Sequence, residues 1–120
     1  DWTEDGLSLE DTIATAAALK KLGVDLIDCS SGFVTPDGKA PFAPGFQVPF
    51  ATAIRDKASV MTAAVGMISD AAQADAIIRA GQADIVLLGR AMLNDPNWAL
   101  HAAQTLQQQG PVPLQYLRGF

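Results

Sequence analysis

The sequence predicts an α/β fold, and more narrowly the C-terminal portion of a (β/α)8 TIM barrel. Three observations carry that expectation. Short apolar runs of strand length alternate with longer stretches whose apolar residues recur at steps of three and four, giving the order α-β-α-β-α-β-α. The runs lack polar alternation, as in strands buried on both faces, and helix-joined consecutive strands are parallel with right-handed crossovers. Three such strands alone would expose two edges of unpaired N–H and C=O groups; a closed barrel of eight strands removes them. The chain also opens in a loop, Asp1–Leu7, with no leading strand, so residues 1–120 are expected to be the C-terminal part of a larger barrel.

Each element has a local cause. Ser8 is an N-cap with Asp11 three residues on, and Leu9, Ile13, Ala16, Leu19 and Leu22 form one apolar helix face closed by Gly23. Val24–Asp28 is the first strand, ending in Cys29-Ser30-Ser31-Gly32. Phe33–Gly45 is a long loop punctuated by Pro36, Gly38, Pro41, Pro44 and Gly45, the kind that tends to be functional or mobile. Gln47–Lys57 reads as a helix with Pro49 in its first turn and Phe50, Ala53 and Ile54 facing inward. Val60–Val65 is the second strand, stopping at Gly66. Asp70-Ala71-Ala72-Gln73 is a capping box for a helix to about Ala80, with Ala71, Ala74, Ile77 and Ile78 buried and Gly81 at its end. Asp84–Leu88 is the third strand. Asp95-Pro96 opens a last helix towards Gln109, with Pro96 at its first position. Gly110-Pro111-Val112-Pro113 breaks it, leaving the tail at 111–120.

Composition narrows the function classes. Hydrophobic residues make up 49% and charged residues 18% of 120, so the chain is globular. Eight Lys and Arg stand against 13 Asp and Glu, a net −5, which argues against nucleic acid and anionic membrane surfaces. Cys29 is alone, so no disulfide framework or zinc set is expected, and no signal peptide or membrane-spanning run is visible. A reducing, cytoplasmic setting is the expectation.

The chemistry is expected in Ala83–Pro96, ADIVLLGRAMLNDP. A buried strand stops at Gly89, where a backbone can approach a ligand closely. Arg90 follows, a permanent cation with five donors, and Ala91-Met92-Leu93 begins a helical turn whose free N–H groups would face the same place. The alternative is a steric glycine and a solvated arginine. All three strands, however, end in small residues: Ser30-Ser31-Gly32, Gly66 and Gly89. In a barrel those ends share one face, and the last two with a helix N-terminus are the usual phosphate site.

The segments VDLIDCSSG, PGFQVPFA, TAAVGMI, QADIVLLGRAMLNDPNW and QYLRGF resemble the old yellow enzyme family, nearest its thermophilic-like bacterial ene-reductase branch. The resemblance covers essentially the whole chain. It implies an FMN-dependent barrel that takes hydride from NADH or NADPH and reduces a C=C bond conjugated to a carbonyl or nitro group. It assigns Gly66, Gly89 and Arg90 to the FMN phosphate, Met67 to the flavin's side and Ser30 to a further contact. It assigns Arg118 to a neighbouring subunit's substrate pocket, and so implies a homodimer or homotetramer held through the tail. It implies no catalytic residue here: the family's substrate-binding His pair and proton-donating Tyr belong to the N-terminal part of the barrel, the partner of this segment. No metal is expected.

Other polar residues read as structural. His101 is a surface or packed histidine with no partner evident in the sequence, and Cys29 is a small hydrophobe. Asp25 and Asp28 fall on opposite strand faces and are expected to make capping or loop hydrogen bonds. Trp2 either lines the site mouth or packs. Two further readings stay open: another phosphate-binding barrel enzyme, and a non-catalytic half-barrel that only pairs with its complement.

Overall fold

The computed structural model describes residues 1–36, 38–110 and 112–119. Ser8 opens helix α1 (Leu9–Lys21) with a reciprocal cap: the Asp11 N–H donates to Ser8 Oγ at 3.2 Å, and the Ser8 N–H donates to Asp11 Oδ2 at 3.0 Å. Strand β1 (Leu26–Cys29), helix α2 (Val48–Ala58), strand β2 (Met61–Ala64), helix α3 (Ala71–Arg79) and strand β3 (Ile85–Val86) follow in alternation. Two short helices, α4 (Arg90–Asn94) and α5 (Trp98–Thr105), precede a 3-10 turn at Leu114–Gly119.

The three strands form one parallel sheet in the order β1-β2-β3. Leu26 to Cys29 pair with Met61 to Ala64, and Ala63 and Ala64 pair with Ile85 and Val86. Cys29, Ala64 and Val86 therefore lie level, and everything just beyond them emerges on the same side. The core sits between this sheet and its helices. It is built on Ala51, Ile54 and Ala58 of α2, Ala64 of β2, Ala74 and Ile77 of α3, and Ala16 of α1. Alanine at so many contacts lets the helices lie close to the strands and to one another.

Several boundaries differ from the sequence reading. The strands are shorter, running from Leu26, Met61 and Ile85 rather than from Val24, Val60 and Asp84. Ile85 is 47% exposed, because β3 has one neighbour only, β2, among the described residues. Asp70 caps α3 by accepting from the Ala72 and Gln73 N–H groups, but the return bond from the Gln73 side chain is not formed. Leu19, Leu22 and Ile78 are exposed rather than buried. The last helix begins at Trp98, not Pro96. Asp95 accepts from the Asn97 N–H at 3.0 Å and holds Pro96-Asn97 in a turn that precedes it. It ends at Thr105 because Gln107 turns left-handed, with φ +55°. Pro111 and Phe120, in the break and the tail, lie outside the described residues.

The molecule measures 55 × 34 × 21 Å with a radius of gyration of 16.6 Å, against about 14 Å for a compact 120-residue domain. Its accessible surface is 8091 Å², against about 6,200 Å² for a compact monomer of this mass. Among the described residues no helix is long and apolar enough to cross a membrane.

Candidate functional site

The parallel register delivers three chain segments to one end of the sheet: Ser30-Ser31-Gly32 after β1, Val65-Gly66-Met67 after β2, and Leu87-Leu88-Gly89-Arg90 after β3. Every residue that the sequence placed around a phosphate is there. Arg118 is not; it lies on the 3-10 turn beyond α5, exposed.

Gly89 stands at the N-cap of α4, with no atom within 4 Å of the position a β-carbon would take. The space beside it is open. Arg90 is exposed and pairs with no carboxylate among the described residues, so its five donors are available. Ser30 is exposed at the same edge, one residue past Cys29. Gly66 has φ +116° and Met67 has φ +51°, two consecutive left-handed residues. Among the described residues neither the Gly66 nor the Met67 N–H is hydrogen-bonded. An anion placed between these segments would meet unsatisfied backbone donors, a free guanidinium and unfilled space, so the donor set fits a phosphate group.

Beneath this surface lies a polar cluster that the sequence reading missed. Gln47, 5% exposed, accepts at Oε1 from the Ser31 N–H at 2.5 Å and the Ser31 hydroxyl at 2.7 Å. Its Nε2 donates to the Val65 carbonyl at 3.1 Å. Gln47 occupies the N-cap position of α2, yet its side chain makes no cap bond. A glutamine between Phe46 and Val48 at a helix start is the one trace of this role in the sequence. Trp2 settles into the same cluster: its indole N–H donates to Ser31 Oγ at 3.0 Å, and its ring lies 5.5 Å from Phe50.

The remaining candidates are structural. Burial pushes the Cys29 thiol up to about 11, with the Asp28 charge adding to it, so it carries no thiolate to act as a nucleophile. His101 does have a partner: Nδ1 lies 2.6 Å from Asp95 Oδ2, an exposed pair six residues apart that ties α5 to the turn before it. Asp25 and Asp28 are exposed and make none of the expected hydrogen bonds among the described residues, since β1 has no neighbour on its outer side.

A sequence model of the NADH:flavin oxidoreductase / NADH oxidase family matches residues 1–109. The chain belongs to that family. Relatives within it include the NADPH dehydrogenases of Bacillus subtilis (strain 168), 46% identical, Geobacillus sp. (strain WCH70), 44% identical, and Geobacillus thermodenitrificans (strain NG80-2), 42% identical. Each similarity spans all 120 residues of this chain and 35% of the relative. The resemblance to the old yellow enzymes therefore holds at family level, and the chain spans about a third of the length of these relatives.

Proposed function

We propose that this chain is the C-terminal, phosphate-holding portion of an FMN-dependent NAD(P)H oxidoreductase barrel of the ene-reductase type. The observation that carries the reading is the meeting of Gly66, Met67, Gly89 and Arg90 at one sheet end, with amides and a guanidinium that have no partner among the described residues and with open space, in a chain of a flavin oxidoreductase family. FMN, when bound, supplies the hydride chemistry, with NADPH the reductant named for the relatives.

What the chain's residues contribute is binding and electrostatics. The Gly89 backbone admits close approach, and Arg90 donates to phosphate oxygens in the fork geometry that suits them. The Gly66 and Met67 amides add neutral donors, and the Met67 side chain, 40% exposed, offers an apolar surface beside them. Ser30 adds a hydroxyl from the next strand. A fixed set of donors on rigid strand ends holds a charged group without rearranging to do so. Arg118 belongs, in this reading, to the substrate pocket of a neighbouring subunit, which makes the enzyme a homo-oligomer acting on enone-type substrates.

The test is cofactor affinity in the full-length protein. Arg90→Ala is expected to weaken FMN binding by about 1.5–3 kcal/mol, the range for hydrogen bonds to charged groups, or about 10- to 150-fold. Riboflavin, which lacks the phosphate, is expected to bind both forms alike. Gly89→Val is expected to cost FMN more, since its side chain would fill the phosphate space. Unchanged FMN affinity in Arg90→Ala would remove the role assigned to that residue.

A further inference from the structure

Two consecutive peptide carbonyls past the end of β2 are captured by one segment of chain. Gln47 Nε2 donates to the Val65 carbonyl at 3.1 Å, and the Gly45 N–H donates to the Gly66 carbonyl at 2.8 Å. In a planar trans peptide the C=O and the following N–H point in opposite directions. Capture of the Val65 carbonyl therefore turns the Gly66 N–H away from Gln47, and capture of the Gly66 carbonyl turns the Met67 N–H away from Gly45. Gly66 and Met67, which follow the first captured carbonyl, both have positive φ. Successive N–H groups presented in such a turn make an anion-binding concavity.

The direction of the amide is not left to chance. Gln47 Oε1 faces two donors, the Ser31 N–H and the Ser31 hydroxyl. The Ser31 backbone N–H can only donate and so fixes Oε1 as its acceptor, while Ser31 Oγ accepts from the Trp2 indole N–H and turns its own proton to Gln47. Oε1 being fixed, Nε2 can only face Val65. The relay Trp2 to Ser31 to Gln47 to Val65 thus has one hydrogen-bonding sense along its whole length. Gln47 is buried and its bonds to Ser31 and Val65 are part-buried, so a reversed amide would leave a donor of a buried side chain facing the Ser31 N–H.

We propose that Gln47 is a positioning residue for the cofactor phosphate, aiming the Gly66 and Met67 amides at it through the Val65 carbonyl. The proposal rests on the phosphate-site reading above. It requires a donor, not merely a polar group, at the position of Nε2. That requirement gives the test a signature that loss of packing does not share. In Gln47→Glu, the protonated acid donates to Val65, whereas the carboxylate sets oxygen against oxygen; burial raises the pKa of the acid that would do this.

The experiment measures FMN and riboflavin dissociation constants for the full-length apoprotein, as wild type, Gln47→Glu and Gln47→Leu, at pH 5 and pH 8. Each variant's preference for FMN over riboflavin is compared with wild type at the same pH. Gln47→Glu is expected to keep the wild-type preference at pH 5 and lose about tenfold of it at pH 8. Gln47→Leu is expected to lose it at both. If Gln47→Glu matches wild type at both pH values, or loses both ligands equally at both, Gln47 does not position the phosphate donors. If wild type shows no preference for FMN over riboflavin, the phosphate-site reading itself fails. Should Gln47→Leu fail to fold, Gln47→Met, also uncharged and without an N–H donor, takes its place in the comparison.

Discussion

A β-carbon at Gly66 would stand 2.8 Å from Gln47 Nε2 and 3.0 Å from the Phe46 ring, in a backbone at φ +116°. Both the conformation and the space exclude any other residue. Gly66→Ala is expected to destabilise the full-length protein by about 1–3 kcal/mol, the range for a residue forced into a sparsely populated conformation. Gly89 makes the contrast: with φ −85° and nothing within 4 Å of its β-carbon position, Gly89→Ala is expected to fold as wild type. Urea unfolding of the two variants separates them, and equal stability would contradict the account of Gly66. The two glycines end successive strands and look equivalent in the sequence, yet one serves the polypeptide's own packing while the other faces open space.

At the scale of elements, β3 is two residues long and is held largely by what flanks it. The Asp84 N–H donates to the Thr62 carbonyl at 2.9 Å, and the Leu87 N–H donates to the Ala64 carbonyl at 2.8 Å. The Asp84 carboxylate accepts from the Thr62 N–H at 2.9 Å and from Arg55 Nε, on α2, at 3.1 Å to each oxygen. The Thr62 bond, with Arg55 adding to it and partial burial opposing, holds Asp84 below the usual carboxylate range. A carboxylate with a lowered folded-state pKa stabilises above its unfolded pKa, about 3.9, and loses that contribution as pH falls through the folded value. Asp84→Ala is therefore expected to cost about 1–3 kcal/mol at pH 7, because the N–H of fully buried Thr62 loses its partner. The gap to wild type should narrow below about pH 4. Denaturant titrations at pH 7 and pH 3 check this; an equal gap at both would mean that the charge is not what pins the strand.

At the scale of the whole molecule, the surface is larger than a compact monomer's, and large apolar side chains stand on it. Leu22, Leu93 and Leu114 are each more than 80% exposed, and both outer strands present unpaired edges among the described residues. The isolated 120-residue chain is expected not to unfold cooperatively as a monomer, and a sharp calorimetric transition at monomer mass would contradict this. The tail divides: Leu117 and Val112 line a small hollow against Leu100 of α5, while Leu114 and Tyr116 stay exposed at 84% and 63%. Exposed ends of that kind normally fray unless a partner holds them. Removing residues 116–120 from the full-length protein is expected to weaken its assembly and alter substrate KM while FMN stays bound. Arg118→Ala alone should alter kinetics more than assembly. Wild-type assembly and kinetics after the deletion would end the tail proposal.

Periodicity and caps were enough to read α1, its Ser8–Asp11 cap, the parallel alternation and the three strand ends, because each depends on neighbours a few residues apart. The segments that include Gly66 and Gly89-Arg90 were enough to indicate the family, because they keep residue type at fixed spacing along the chain. Gln47 was not legible: its partners are 16 and 18 positions away, and nothing local distinguishes a buried relay from an ordinary helix start. The same holds for Arg55 and Asp84, 29 positions apart, and for the partner of His101, which became visible only when the turn at Asp95 brought it near. Local order follows from short-range propensity and hydrophobic pattern. Which buried polar group meets which is decided by the register of the sheet, since a hydrogen bond is made or lost over a few tenths of an ångström that only the packed structure sets.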